Sequence, residues 1–443
     1  MHFDLNFWIF RICSRYSIYW VICMLKIIWG QRLSGTVQIS GSKNAALPLI
    51  GAALLFKKAT IHNVPDISDV HTLLAIAKSA WVQVSFHENT LSIDTTAMHS
   101  HSIDLELASK IRASILLVPG FLQAFGSVEL PYPGGCNIGK RPIDVLMNGF
   151  FEIGYTGTYG DSWVSIWWTP KEWDVEFSAG FAVTATESLI LANVQRKGTT
   201  RIFLSAIEPH VMSLIEFLNI HGARISLWYD HTIEIIGVAS LQEEATWRVI
   251  ADYIESGTFI VMGALASSDY LDIKDARIMD LHAFLTKCRD AWVRYEYLGD
   301  DTLRVYRSID SLKAIRVQTN IFPGFPTDLQ SPFAILLTQA EWVSRLEEIV
   351  YESRLNWLIE IEKMKWHPAI MNPNAALIFG PTLLRGATVS SWDLRAWVAM
   401  IIAGLIAIWD TYITNVEYIE RGYEDIIGKI WKLGAKIERV ESN

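Results

Sequence analysis

The sequence predicts an α/β (α+β) protein of two similar domains, each built from three copies of one helix–turn–strand unit. Three observations carry this. A chain of 443 residues is long for a single core. Its 51% hydrophobic and 19% charged residues describe a globular protein rather than a disordered one. A helix end, a small turn and a strand of alternating apolar residues recur at 77–84, 152–159, 217–226, 287–296, 362–370 and 430–440. The interval is roughly seventy residues, as expected of one supersecondary unit copied along a chain. Three copies per domain leave a cleft between the two halves.

Residues 1–23 are aromatic and apolar, but Arg11 and Arg15 interrupt them. They lack the apolar core and small-residue site of a signal peptide. They also lack the about twenty unbroken apolar residues of a membrane span. Met24 is the expected start and 1–23 an extension, with peripheral membrane contact as the other reading. From Lys26 onward strands and helices alternate. Residues 36–40 read as a strand, and 43–56, after Ser40-Gly41-Ser42, as an apolar helix. Residues 104–125 read mainly as a helix carrying Lys110 and Arg112, with a break near Pro119-Gly120.

The loop from Pro133 to Asp144 carries one cysteine, Cys136, among three glycines and the cations Lys140 and Arg141. Neighbouring cations favour thiolate over thiol, which makes Cys136 a candidate reactive group. A mobile surface loop with an incidental cysteine fits the same residues. The other cysteines (Cys13, Cys23, Cys288) complete no disulfide framework and no metal-ligand spacing, which favours a reducing compartment. A net charge of −9 argues against a nucleic-acid or polyanionic-membrane partner, though cations gathered in one cleft could still bind anionic substrates.

Tryptophan is abundant, at 18 residues against 27 glycines. Three of the six recurring turns carry Gly154, Gly222 and Gly434, the residue expected where a helix ends in the left-handed conformation. The other three carry Trp81, Trp292 and Trp366 at or beside that place. A bulky side chain at positive φ costs about 1–2 kcal/mol before any clash.

Several motifs in order make the chain resemble the UDP-N-acetylglucosamine enolpyruvyltransferase (1-carboxyvinyltransferase) family. They are the segments 39–48, 112–114, 133–144, 322–328 (Phe-Pro-Gly-Phe-Pro-Thr-Asp), 393–396 (Asp-Leu-Arg-Ala) and 421–424 (Arg-Gly-Tyr-Glu). The resemblance runs from about Lys26 to the C-terminus. It implies two inverse α/β barrels, each of three βαβαββ units, with the active site in the interdomain cleft. By the same analogy one domain spans 43–250 and the other combines 24–42 with 251–443. Tryptophan also replaces the family's usual glycine at Trp29, Trp342, Trp397 and Trp409. The expectation is a gene that reads UGA as glycine, translated here as tryptophan; a divergent paralogue is the alternative.

The implied reaction moves the enolpyruvyl group of phosphoenolpyruvate onto the 3′-hydroxyl of the amino-sugar nucleotide, by addition and elimination, with release of phosphate. Lys43, Arg141 and Arg421 match the positions that hold the phosphate and carboxylate of phosphoenolpyruvate, and arginine's planar fork suits both. Arg112, Arg354 and Arg395 match further cations of the cleft. Asp328 matches the candidate general base at the sugar hydroxyl, although before an apolar run it also reads as a helix N-cap. Cys136 matches the loop cysteine linked to proton delivery at the methylene and alkylated by fosfomycin. Asn44, Pro142, Ile143, Asp144, Val145 and Val350 match contacts to the sugar nucleotide. So does the segment Gly180, Phe181, Ala182 and Val183.

Three departures stand out. Leu146 occupies a place where many relatives have histidine, the 180–183 segment lacks the usual serine, and Ala251 and Tyr253 flank Asp252 where proline and arginine are common. The resemblance implies no metal or organic cofactor, small-molecule partners only and a cytoplasmic location; oligomeric state is not legible. An enolpyruvylshikimate-phosphate synthase type shares the architecture but lacks the Pro-Gly-Gly-Cys loop. A non-catalytic sugar-nucleotide-binding paralogue is the remaining alternative.

Overall fold

The computed structural model describes residues 23–99, 103–131, 134, 143–161, 163–168 and 172–441. Its strands form five four-stranded sheets and one three-stranded sheet among these residues. In a representative sheet Leu33–Gln38 runs parallel to Ser267–Lys274, which pairs antiparallel with Thr302–Tyr306, itself antiparallel to Tyr295–Gly299. Each of the six helix–turn–strand segments read from the sequence falls at such a helix-to-strand joint.

Helices fill the middle and sheets lie outside, because several helices are apolar all round and can only be stable when enclosed. All fourteen residues of Tyr253–Ala266 are buried. So are most of Lys43–Ala53 and Leu394–Ile406. The apolar residues gather into two cores. One takes residues from Ala45 to Val249. The other takes Leu25 to Ile39 together with Tyr253 to Ile437.

The two chain crossings between these cores lie side by side. Gly41 bridges Ala251, the Ser42 N–H donates to the Ile250 carbonyl at 2.7 Å, and the Asp252 N–H donates to the Ser40 carbonyl at 2.9 Å. A Cβ at Gly41 would stand 1.8 Å from the Asn63 carbonyl oxygen, so only glycine permits this approach. Asp252 then caps the Tyr253–Ala266 helix by accepting from the N–H of Ile254 at 2.8 Å.

One expectation is corrected. The break in the 104–125 region falls at Ile111, whose extended backbone separates Leu105–Lys110 from the 3-10 turn Arg112–Leu117. Pro119-Gly120 sits inside the following helix, Val118–Phe125, where proline in the first turn lacks only an N–H that would have no partner anyway.

The tryptophans divide. Trp81, Trp292, Trp342 and Trp409 have φ of 66°, 65°, 82° and 73°, and all four are exposed. Trp81 and Trp292 occupy the turn that holds Gly154, Gly222 and Gly434 at φ of 107°, 106° and 105° in other repeats. In the fifth repeat the left-handed residue is Lys365, φ 64°, not Trp366. Trp366 is buried with its indole N–H on the Phe379 carbonyl. Trp397 is buried inside a helix and donates to the Thr414 carbonyl at 2.9 Å, and Trp29 adjoins Gly30, which carries the positive φ.

Candidate active site

Two clusters of cations, each gathered on one carboxylate, lie where the two halves meet. In the first, Lys43 opens its helix and places Nζ 2.6 Å from Asp69 Oδ2. Arg421, ending the turn Val416–Arg421 of the opposite half, brings Nε to 2.9 Å from Asp69 Oδ1. Asp69 lies in the first turn of Ser68–Ser79 and is buried. Burial alone would raise its pKa, but Lys43 and Arg421 hold the carboxyl below the usual range. Gly422 makes the approach possible, since a Cβ there would meet Leu394 at 2.4 Å and the Lys43 stem at 3.3 Å. Alongside, Glu424 Oε1 accepts the Asp66 N–H at 2.9 Å, again across the joint.

In the second cluster Asp328 Oδ1 lies 2.7 Å from Arg354 Nη2, and Oδ2 lies 3.0 Å from Arg395 Nη2. Both arginines are buried. Burial would raise the Asp328 pKa, yet Arg395 and Arg354 hold it well below the ordinary carboxylate range. Burial likewise disfavours charge on Arg395, and Tyr423 and Asp328 reverse that. Asp328 caps no helix, because its side chain is taken by the two guanidinium groups. Asp393 by contrast does cap its own helix, Leu394–Ile406, its Oδ1 accepting from the Arg395 N–H at 2.7 Å and the Ala396 N–H at 2.8 Å.

Tyr423 joins the clusters. Its ring lies 5.1 Å from the Arg395 guanidinium, its hydroxyl meets Thr258 at 3.0 Å, and it follows Arg421 by two residues. A buried carboxylate, Glu348, ties the surrounding loops together. It accepts from Thr319 at 2.8 Å, Thr327 at 2.7 Å and the Val350 N–H at 2.8 Å, which fixes Val350 and Arg354 beside Asp328.

Of the residues expected at the site, Lys43 and Arg421 therefore meet on Asp69, and Arg354 and Arg395 meet on Asp328, with Tyr423 of the Arg421 segment against Arg395. Asn44 follows Lys43 in the same helical turn, and Arg112 opens the 3-10 turn Arg112–Leu117, half-buried. Ile143, Asp144 and Val145 start one helix, while Gly180, Phe181, Ala182 and Val183 lead into another, and these helices pack closely. A Cβ at Gly149 would stand 2.6 Å from Leu189. Gly180 and Phe181 both have positive φ, at 56° and 58°. Leu146 is buried in the core, so at that position the side chain packs rather than binds. Cys136, Arg141 and Pro142 lie outside the described residues.

Sequence reasoning missed Asp69, Tyr423 and Glu348. Asp69 sits after Ser68 at a helix start, where an acid favours the helix dipole whatever else it does. Nothing local announces its two distant cations. Replacing it with alanine would leave Lys43 and Arg421 facing each other with no shared anion. The expected loss is about 3–5 kcal/mol in denaturant unfolding. Because its folded pKa is depressed, this stabilisation is present above about pH 4 and is lost as pH falls through the folded value. Asp69→Ala should therefore flatten the acid limb of stability as well as lower its plateau; an unchanged acid limb would contradict the assignment.

A helix-filled pair of halves with anion-binding groups converging at their joint is the architecture of an enolpyruvyl transferase. Its fold is similar to that of the enolpyruvyl transferase NikO from Streptomyces tendae, at TM-score 0.87 and 23% identity, covering 96% of this chain and 100% of that one. It is also similar to an EPSP synthase from Acinetobacter baumannii, at TM-score 0.72 and 16% identity, covering 95% and 100%. The family model described as EPSP synthase (3-phosphoshikimate 1-carboxyvinyltransferase) matches residues 28–430. UDP-N-acetylglucosamine 1-carboxyvinyltransferase 3 of Caldanaerobacter subterraneus subsp. tengcongensis is 38% identical over 412 residues, covering 93% of this chain and 98% of that protein. The UDP-N-acetylglucosamine 1-carboxyvinyltransferase of Desulfosudis oleivorans is 36% identical over 414 residues, covering 93% and 98%. The chain belongs to the EPSP synthase family of enolpyruvyl transferases, within its UDP-N-acetylglucosamine 1-carboxyvinyltransferase branch.

Proposed function

We propose that the protein transfers the enolpyruvyl group of phosphoenolpyruvate to the 3′-hydroxyl of UDP-N-acetylglucosamine and releases phosphate, the first committed step of peptidoglycan precursor synthesis, in the cytoplasm. The observation that carries the reading is the pair of clusters, Lys43 and Arg421 on Asp69 and Arg354 and Arg395 on Asp328, with Tyr423 of the Arg421 segment against Arg395. It spans the joint between a 43–250 domain and a domain made of 24–42 with 251–443. It sets two kinds of group side by side, cations for a small polyanion and one ionised carboxylate for a hydroxyl proton.

Lys43, Arg141 and Arg421 hold the phosphate and carboxylate of phosphoenolpyruvate, as charge-assisted pairs suited to planar and tetrahedral oxyanions. Asp328 takes the proton of the acceptor hydroxyl as its oxygen adds to C2, and Cys136 supplies a proton to the methylene carbon. Removal of that proton and departure of phosphate complete the transfer. Asn44, Arg112, Asp144, Val350 and the 143–145 and 180–183 segments orient the sugar nucleotide.

A coupled assay should release phosphate from phosphoenolpyruvate with UDP-N-acetylglucosamine and not with shikimate 3-phosphate. The opposite preference would move the protein to the synthase type. Fosfomycin should stop turnover and add its mass to the Cys136 peptide; full activity without a mass shift would exclude Cys136 from the reaction.

A further inference from the structure

The two crossings between the halves change partners at one point. On the outgoing strand the Ile39 N–H donates to the Lys274 carbonyl at 3.2 Å, and the Ser40 carbonyl accepts the Asp252 N–H at 2.9 Å. Ser42 bonds instead to the 43–250 half: its N–H meets the Ile250 carbonyl at 2.7 Å, and its carbonyl accepts the Ala46 N–H at 2.9 Å. The returning strand does the reverse. The Val249 N–H donates to the His62 carbonyl at 2.9 Å, its carbonyl accepts from Asn63 Nδ2 at 2.9 Å, and Asp252 then caps a helix of the other half. Gly41 and Ala251, paired in a bridge, mark the changeover on both strands.

Ser40 stands just before this changeover and is held at its amide, its carbonyl and its hydroxyl. Its N–H donates to Glu255 Oε2 at 2.8 Å, and its Oγ accepts from Lys429 Nζ at 2.6 Å. Lys429 Nζ also lies 2.5 Å from Glu255 Oε1, which closes a triangle of contacts. Glu255 is in the first turn of Tyr253–Ala266 and buried, whereas Lys429 is on Ile426–Lys432, the helix that follows the Arg421 turn. An enclosed ion pair is costly to desolvate, and apolar residues of the same volume often serve stability as well. Apolar residues could not, however, hold the amide and hydroxyl of the crossing strand against the helix after Arg421.

We propose that Glu255 and Lys429 are positioning residues for the anion site: by fixing Ser40 against the helix that follows Arg421, they set Lys43, just beyond the changeover, at the spacing from Arg421 that phosphoenolpyruvate requires. The proposal rests on the function assigned above. Lys43 and Arg421 reach the site from opposite halves and meet on Asp69, so an error at the crossing enters their separation directly. Asp328, Arg354 and Arg395 all belong to the second half, so their mutual geometry does not depend on the crossing. The contacts assigned to the sugar nucleotide come mostly from the 43–250 half and are similarly insulated.

Calorimetric titration of the full-length protein with phosphoenolpyruvate and, separately, with UDP-N-acetylglucosamine tests this. Replacing the pair together, Glu255→Gln with Lys429→Met, removes both charges without burying one alone, and a melting scan checks that the variant is folded. Phosphoenolpyruvate should bind about ten- to a hundredfold more weakly, the effect of a displaced anchor. Affinity for the sugar nucleotide should stay within about twofold, as for a distant and uncoupled change. Lys429→Arg, which keeps a cation and its donors, should bind phosphoenolpyruvate better than the double variant. In turnover, kcat/KM for phosphoenolpyruvate should fall further than kcat. Unchanged phosphoenolpyruvate affinity in the folded double variant, or an equal loss for both ligands, would overturn the proposal. Should the double variant not fold, Ser40→Ala removes one arm of the triangle and should show the same selective loss, at about two- to tenfold; no loss there would equally overturn it. If the parent bound phosphoenolpyruvate but released no phosphate, the assigned transfer would fall, while the affinity ratios would still decide the role of Glu255 and Lys429.

Discussion

Asp328→Asn is expected to slow phosphate release by about a hundred- to ten-thousandfold, the range for loss of a positioned base. Asparagine keeps the shape and one acceptor oxygen but cannot take the hydroxyl proton. Two features sharpen the expectation. Arg354 and Arg395 hold the carboxylate at 2.7 and 3.0 Å, so it is ionised throughout the neutral range and ready to accept. The same pairing makes it a weak base, so proton transfer has to accompany the forming carbon–oxygen bond rather than precede it. A titration of Asp328 should accordingly leave no mark on the rate profile above about pH 4. Since the folded pKa is depressed, its contribution to stability is complete above the unfolded value and is lost as pH falls through the folded one. Asp328→Asn also leaves two buried guanidinium groups facing an amide, at a cost of about 3 kcal/mol, so rates belong at a temperature where both proteins are folded. Activity within about threefold of the parent would remove Asp328 from the chemistry.

What the sequence made legible follows from which interactions are local. The six helix–turn–strand joints are local, because a left-handed turn and the switch from helical to alternating periodicity are written within ten residues of each other. Lys43, Asp328, Arg395 and Arg421 were legible through motif context, since each stands inside a recognisable run. Their partners were not. Asp69 meets Arg421 across 352 positions of sequence, and no periodicity encodes such a pairing. The Ile111 break was misplaced because Pro119-Gly120 is the louder breaker. Proline at the start of a helix is tolerated, however, and the extended conformation at Ile111 has no compositional mark. Leu146 shows the converse. Its replacement of a polar residue looked like a lost contact, whereas the fold uses it as core.

Exchanging Trp81, Trp292, Trp342 and Trp409 for glycine is expected to stabilise the protein, by about 1 kcal/mol at each site. All four have φ between 65° and 82°, where a Cβ is strained and glycine is not. Part of the gain is offset by the freer unfolded chain that glycine brings, which is why the figure is kept near the lower end of the left-handed penalty. The side chains are exposed, so little packing is forfeited, and distant sites should add to several kcal/mol in the fourfold variant. Trp366 supplies the contrast. It fills a buried site on ordinary backbone, so the same exchange there should destabilise by about 3–5 kcal/mol. The internal comparison makes the case, because three repeats place Gly154, Gly222 and Gly434 in the turn where two others place Trp81 and Trp292. A divergent paralogue would have had to accept the same strain several times over in a molecule only about 5–15 kcal/mol stable. A gene that reads UGA as glycine requires no such tolerance. Peptide mass spectrometry of the protein from its native cell should therefore find glycine at positions 81, 292, 342 and 409. Tryptophan at these four, with no gain in melting temperature from the exchanges, would mean that the repeats bear the strain after all.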